Sequence, residues 1–243
     1  METLSDPTIS EQQKFWETWN ASLRDPEHLN EWCIRRAKVI LQYLQSLNLD
    51  HPEILDFGCG TGWLSEMLAN FGPVTGVDLA ESAIATARTR CPHGAFIAGD
   101  IFKMSLPAGH FDVVVSQEVI AHVPDQQAYV DRAAHLLRPG GYLIITTPNK
   151  FVIERADVFP PQPPEHIEKW LTNRCLKNQL RSHFRVLRST SILPMGNRGI
   201  LRLVNSTKVN IALASIFSSG RIEKLKEQLG LGYTLILLAQ KRV

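Results

Sequence analysis

Runs of mostly apolar residues alternate along this chain with stretches in which apolar side chains recur every three or four positions. Ile54–Phe57, Val74–Val77, Ala95–Ala98, Val113–Val115 and Tyr142–Thr147 are short and rich in aliphatic and β-branched residues. Such runs predict strands covered on both faces of a sheet. Trp63, Leu64, Met67, Leu68 and Phe71 follow the first run at helical spacing. Further helices are expected over Ala80 to Arg90 and Gln126 to Leu137, the latter stopped by Arg138-Pro139-Gly140-Gly141. Strand and helix in alternation, joined by short connections, specify an α/β fold with a parallel sheet and right-handed crossovers. Ligands of such sheets bind at the carboxyl ends of the strands, where Asp78, Asp100, Gln117 and Asn149 all stand.

The first strand is preceded by residues of helical pattern, which predict an N-terminal cap over 1–50. One helix starts near Ser10 and Glu11, clusters Phe15, Trp16 and Trp19, and is broken at Asp25-Pro26. The next, from Leu29 to Leu47, carries Trp32, Ile34, Val39, Ile40, Tyr43, Leu44 and Leu47 on a broad apolar stripe. Residues 51–243 form the main domain. Past Phe151 come a proline-rich loop at Phe159–Pro164, a helix expected over Ile167 to Ser182, and strands at Phe184–Ser191 and Tyr233–Gln240. Between those strands lies an insertion at 194–231, with a helical stretch from Ser206 to Leu229. It is far longer than an ordinary hairpin loop.

At 243 residues the chain suits one α/β domain with insertions. A net charge of +2 with 21% charged residues gives no reason to expect nucleic acid as a partner. The acidic, polar N-terminus lacks the pattern of a signal peptide, and no apolar run reaches the length of a membrane span. Cys33, Cys59, Cys91 and Cys175 are widely separated, without the spacing of a zinc knuckle or a disulfide framework. The expected setting is a reducing cytoplasm.

The candidate chemistry begins at Glu53–Glu66, E-I-L-D-F-G-C-G-T-G-W-L-S-E. Gly58, Gly60 and Gly62 at alternate positions permit positive φ and let a ligand lie against the backbone. The dinucleotide fingerprint needs its third glycine where Trp63 stands, and Gly62-Trp63-Leu64 lacks the ending of a phosphate-binding Walker loop. The turn therefore suits a nucleoside ligand without a phosphate. Asp78, twenty residues after Gly58 at the close of the second strand, is placed to accept hydrogen bonds from ribose hydroxyls.

With that strand, glycine turn, helix and acid, the sequence resembles the class I S-adenosylmethionine-dependent methyltransferases. The resemblance implies a Rossmann-like, seven-stranded, mostly parallel sheet with an antiparallel last strand, the final two strands pairing as an edge hairpin. It implies S-adenosylmethionine as cofactor and S-adenosylhomocysteine as product. Carried onto this sequence, the cofactor residues are Asp56, Gly58, Cys59, Gly60, Asp78, Leu79, Asp100, Ile101 and Gln117, with Asp100 at the adenine amino group. The cap is expected to close over the cofactor, with Arg35 or Arg36 reaching the methionine carboxylate.

Methyl transfer from a sulfonium needs acceptor and carbon held close and collinear, and a hydroxyl acceptor must also lose its proton. His122, six residues past the fourth strand, is the leading base, and His166 in E-H-I-E-K-W is a further candidate. The stretch Q-E-V-I-A-H-V-P-D around His122 resembles ubiquinone-pathway O-methyltransferases and small-RNA 2′-O-methyltransferases, in which two glutamates and two histidines bind a divalent metal. Here Glu118, His122 and His166 match, but Ala121 replaces the second glutamate. Loss of a carboxylate weakens a hard-cation site, so no metal is assigned. Neither the Asp/Asn-Pro-Pro-aromatic sequence of adenine methyltransferases nor a Pro-Cys nucleophile follows the fourth strand.

The expectation is O-methylation of a small biosynthetic intermediate, by a monomer or homodimer. N- or C-methylation, a non-catalytic cofactor-binding scaffold and a nicotinamide oxidoreductase remain as alternatives. The insertion would shape the acceptor pocket or serve a dimer contact or stability. Its Val209, Leu213, Ile216 and Phe217 could also face a membrane surface.

Overall fold

The computed structural model describes residues 6–22, 30–157, 166–214 and 218–243. Seven strands form one sheet in the order β3-β2-β1-β4-β5-β7-β6. They are β1 Ile54–Phe57, β2 Val74–Asp78, β3 Ala95–Ala98, β4 Phe111–Gln117, β5 Leu137–Pro148, β6 Phe184–Pro194 and β7 Gly232–Lys241. β1 to β5 pair in parallel, and β7 runs antiparallel between β5 and β6. This is the expected mostly parallel sheet. The order reverses at β1/β4, and in open sheets such a reversal opens a ligand crevice.

Alternation along the central strands sends side chains to two separate cores. Val114 joins Leu55, Phe57, Val77 and Tyr129 on one face; Val113 and Val115 join Ile54, Val74 and Ile144 on the other. The first face is covered by α5 (Gln126–Leu136) and α7 (Asn173–Leu180), and the second by α2 (Glu31–Ser46) and α3 (Trp63–Leu68). α2 inserts Ala37, Ile40, Tyr43 and Leu44, all buried, which is why its apolar stripe is so wide. Burial of a side chain such as Ile40 contributes about 1.5–3 kcal/mol of transfer free energy. α4 (Glu81–Arg90) packs over β3.

The structure corrects four expectations. α1 spans Ile9–Ser22 and begins at Thr8, whose Oγ1 accepts from the Glu11 amide at 3.3 Å while Glu11 accepts from the Thr8 amide at 2.7 Å. That reciprocal capping box sets the start earlier than Ser10. Arg138–Gly141 does not end α5 in a loop but opens β5: Leu137 pairs with Phe111, and the register shifts before Val113 meets Tyr142. Ile167–Leu171 is not helical. Its backbone is taken by the exits of β4 and β5, with Lys169 N donating to Ala121 O at 2.7 Å and Leu171 bridged to Asn149. α7 starts only after Thr172, whose hydroxyl caps it through the Cys175 amide. The segment between β6 and β7 holds three helices, α8 Gly199–Val204, α9 Thr207–Ala214 and α10 Ser219–Gln228, where one long stretch was expected.

Asp25-Pro26, Leu29, the proline-rich stretch Phe159–Pro164 and the side chains of Leu213, Ile216 and Phe217 lie outside the described residues. Among the described residues no helix is long and apolar enough to cross a membrane.

Candidate cofactor and acceptor site

The glycine turn leaves β1 at Phe57 and is held to β2 at once, because Gly58 N and Cys59 N both donate to Val77 O at 2.9 Å. Gly58 takes φ +91, and a Cβ there would stand 2.2 Å from Val119 Cγ2, so the turn closes against the loop after β4 only with glycine. Gly60, at φ +52, has nothing within 4 Å of where its Cβ would be. That open side of the backbone is where a ligand can lie.

Asp78 organises this opening. Its Oδ2 accepts from Gly60 N at 2.8 Å and its Oδ1 from Ala80 N at 3.0 Å, tying the turn to the start of α4. Burial pushes its carboxyl above the usual range, against the lowering effect of these amides. Leu79 follows it, partly exposed. Asp56 sits beneath the turn, 1% exposed, and accepts the Ser65 hydroxyl at 2.6 Å. Burial drives its carboxyl from the ordinary 3.8 to about 7, with nearby Asp78 adding to the rise. Cys59 is also buried, its amide spent on Val77 and its thiol pushed upward by burial. Asp56 and Cys59 therefore support the turn from behind, whereas Gly60 and Asp78 face the opening.

The other expected contacts divide in the same way. Asp100 caps its own turn, accepting from Phe102 N at 3.0 Å, with Ile101 next to it and partly exposed. Gln117 Oε1 is buried without a hydrogen-bond partner at the end of β4. Asn149 points away: its amide nitrogen donates to Gly230 O and Gly232 O, both at 2.9 Å, so it fastens β7 and is 1% exposed. The two candidate arginines separate as well. Arg35 turns to α10, pairing with Glu223 at 2.8 Å and Glu227 at 2.6 Å. Arg36 turns to the cleft, 3.7 Å from Glu118, with its Nε buried and unpaired. Glu118 itself has φ +60, and its Oε1 accepts from Thr146 Oγ1 at 2.6 Å. A left-handed non-glycine residue at the switch point is the kind of strain found at binding sites.

The two candidate histidines, His122 and His166, lie with ring centroids 4.6 Å apart and planes at 23°. His122 Nδ1 lies 3.0 Å from Ile167 O, so this nitrogen carries the proton and donates, leaving Nε2 as the basic atom. Burial holds its pKa below the ordinary histidine value. His166 has both ring nitrogens buried without a partner, and burial followed by His122 lowers it to about 4. Both rings are neutral at pH 7. Stacking opposes ring faces rather than nitrogens, and among the described residues no three His, Cys, Asp or Glu gather as a metal site. Glu118, His122 and His166 are thus not assembled as a ligand set.

The sequence did not disclose how α1 lies over this site. Phe15 stacks on His166 at 4.4 Å, and Trp16 meets His122 at 5.2 Å edge-on. Glu17 then caps α4, accepting from Glu81 N at 2.7 Å, Ser82 N at 3.2 Å and the Ser82 hydroxyl. At the other end Asp6 pairs with Lys169, whose ammonium also donates to Pro124 O at 2.8 Å. α1 crosses from the exits of β4 and β5 to the exit of β2, fastened by a carboxylate at each end. Its 14 residues extend about 21 Å. In sequence Glu17 is an ordinary polar position on an amphipathic helix, and no local pattern marks it.

A mostly parallel sheet with an open glycine turn and an acid at the end of β2 leaves room for a ligand at the switch point. The profile of the methyltransferase-domain family matches residues 55–145. A ubiquinone biosynthesis O-methyltransferase of Coxiella burnetii is 35% identical over 161 residues, which are 61% of this chain and 66% of that protein. A probable S-adenosylmethionine-dependent methyltransferase of Mycolicibacterium smegmatis is 33% identical over 55% of this chain and 52% of its own. The chain thus spans just under two thirds of the first of these curated relatives and about half of the second. Among solved structures, the N-methyltransferase NodS of Bradyrhizobium japonicum, in complex with S-adenosylhomocysteine, has a TM-score of 0.65 at 17% identity. The alignment covers 96% of this chain and 98% of that one. The [4+2]-cyclase SpnF has 0.68 at 16% identity, covering 99% of both. Likeness at that identity shows the fold alone.

Residues 55–145 thus form a methyltransferase domain similar to those of S-adenosylmethionine-dependent methyltransferases. The residues present fit that cofactor: an open glycine turn, a carboxylate at its edge, and two buried polar groups, Gln117 Oε1 and Arg36 Nε, left without partners.

Proposed function

We propose that this protein methylates a hydroxyl oxygen of a small-molecule acceptor, with His122 as general base. One observation carries the reading: His122 is buried and fixed by Ile167 O as its Nδ1-protonated tautomer. It offers a neutral, basic Nε2 at the β4 exit beside the switch point. S-adenosylmethionine, when bound, supplies a methyl carbon activated by the sulfonium. Asp78 accepts the ribose hydroxyls, Asp100 and Ile101 meet the adenine, Gln117 lies along the nucleoside, and Arg36 pairs with the methionine carboxylate. Nε2 of His122 takes the proton of the acceptor hydroxyl, whose oxygen the bound cofactor would methylate. His166 stacks on His122 and, with Phe15 and Trp16, keeps water from it. The ubiquinone biosynthesis O-methyltransferase similarity, at 35% identity, favours oxygen over nitrogen as the acceptor atom.

The experiment is mass-spectrometric detection of methylated product from S-adenosylmethionine and a panel of catechol and amine acceptors. Wild-type protein should methylate the hydroxyl compounds. His122→Asn should lower kcat by about 10²–10⁴-fold while S-adenosylhomocysteine affinity is retained. The wild-type rate should hold through pH 7 and fall on acidification below 6.5, the ordinary histidine value beneath which the depressed pKa lies. Transfer to amines alone, or an unchanged kcat in the variant, would refute the assignment.

A further inference from the structure

The helices α8, α9 and α10 carry none of the residues placed above at the glycine turn, and their charge and exposure are one-sided. Residues 194–231 hold six cations against two carboxylates, a net +4 in a chain whose total is +2. Both carboxylates are occupied: Glu223 and Glu227 are the partners of Arg35 on α2. Lys226 is likewise occupied, near Asn205 at 3.4 Å and Asn210 at 2.9 Å, and Arg198 pairs with Asp157. The other four cations, Arg202, Lys208, Arg221 and Lys224, are exposed and have no partner among the described residues.

Large apolar side chains are exposed among them. Ile200 and Leu203 on α8 are 58% and 64% exposed, Ile211 on α9 is 67%, and Leu225 and Leu229 at the end of α10 are 57% and 65%. Helical spacing puts the two kinds together. Lys208 and Ile211 are three apart, and Arg221, Lys224 and Leu225 fall within one turn. Meanwhile Leu201 and Ile222 are the residues these helices bury. Single exposed apolar residues are ordinary, but five on three helices, of which α9 contacts both α8 and α10, interleaved with unpaired cations, form an unpartnered amphipathic surface.

We propose that this surface docks on an anionic lipid bilayer. The chemistry selects that occupant. Headgroup phosphates neutralise the four free cations, and the boundary with the acyl chains receives the isoleucine and leucine side chains. A nucleic acid would engage the cations and leave the apolar residues in water. Placement adds a consequence: Arg35 ties α10 to α2, the helix whose Arg36 faces the cleft, so docking occurs beside the site and suits an acceptor carried in the membrane.

The test is flotation of the full chain with phosphatidylcholine vesicles and with equimolar phosphatidylcholine/phosphatidylglycerol vesicles. The protein should float with the anionic vesicles alone, and less so as salt rises. Combining Arg202→Glu, Lys208→Glu, Arg221→Glu and Lys224→Glu should lower partitioning by at least about a hundredfold. Ile200→Ser with Leu203→Ser and Ile211→Ser should also lower it while keeping all charges. Binding of S-adenosylhomocysteine should persist in both variants, which reports an intact fold. No flotation, equal flotation with neutral vesicles, or loss of binding by charge reversal but not by the serine variant would overturn the proposal. Its overturning would equally follow from retention of an oligonucleotide in place of vesicles, or from a dimer in solution that covers these residues.

Discussion

Asp56 offers the sharpest test of the site's construction. It is 1% exposed and among the described residues its side-chain hydrogen-bond partner is Ser65, so burial raises its pKa from 3.8 to about 7. The facing groups act in opposite senses, the Ser65 hydroxyl lowering the value and the Asp78 carboxylate raising it. A carboxyl whose folded pKa is raised binds its proton more tightly in the native state. Its contribution to stability is complete below pH 4 and is lost as pH rises through about 7. With about 1.36 kcal/mol per pH unit, the ionisation costs roughly 2 kcal/mol of stability at pH 5 and roughly 4 at pH 8, a difference of about 2 to 3 kcal/mol. Asp56→Asn keeps an acceptor for Ser65 and removes the titration. The substitution therefore changes relative stability between the two pH values, whatever its effect at either one. Urea unfolding of both proteins at pH 5 and pH 8, followed by circular dichroism and fluorescence to verify a two-state transition, measures this. The variant should gain about 2 to 3 kcal/mol on wild type in going from pH 5 to pH 8. Parallel behaviour, within about 0.5 kcal/mol, would refute the claim that a buried, weakly partnered carboxyl lies beneath the turn.

Two further outcomes follow from named contacts. Asp78→Ala removes a carboxylate that holds two backbone amides. With Asp78 the proposed acceptor of both ribose hydroxyls, at about 1.5–3 kcal/mol for each hydrogen bond to a charged group, S-adenosylhomocysteine affinity should fall at least about a hundredfold by calorimetric titration, and an unchanged affinity would remove Asp78 from the site. Glu17→Gln weakens the clasp of α1 on the N-terminus of α4, a contact worth about 0.5–2 kcal/mol as a helix cap. Hydrogen exchange of α1 amides should speed up by about two- to thirtyfold while the β1 and β4 amides stay protected; equal protection in both proteins would show that Glu17 does not hold the helix down.

Much of this architecture is written locally. The apolar runs at Ile54–Phe57, Val74–Val77 and Val113–Val115 place the central strands because their side chains fill both cores. Alternate glycines mark the cradle because Gly58 must close against Val119 and Gly60 must leave the backbone open. His122 and His166 are candidates through a family resemblance, but the stacking of their rings is a tertiary contact that no periodicity announces. Where long-range contacts competed with local pattern, the pattern lost. Ile167–Leu171 is drawn out by Ala121 and Asn149, and Arg138–Gly141 is recruited into β5.

The sequence by itself determined the sheet, the glycine turn, the acid that ends β2 and the class of cofactor they serve, because each rests on neighbours a few residues apart. Tertiary structure alone decided which arginine faces the cleft and that Asn149 is spent on β7. It also decided that Glu17 and Asp6 fasten a helix across the site. Those roles join residues as far apart as Arg35 and Glu227 or Asp6 and Lys169. Their side chains meet only after the sheet has set the distances between the elements that carry them.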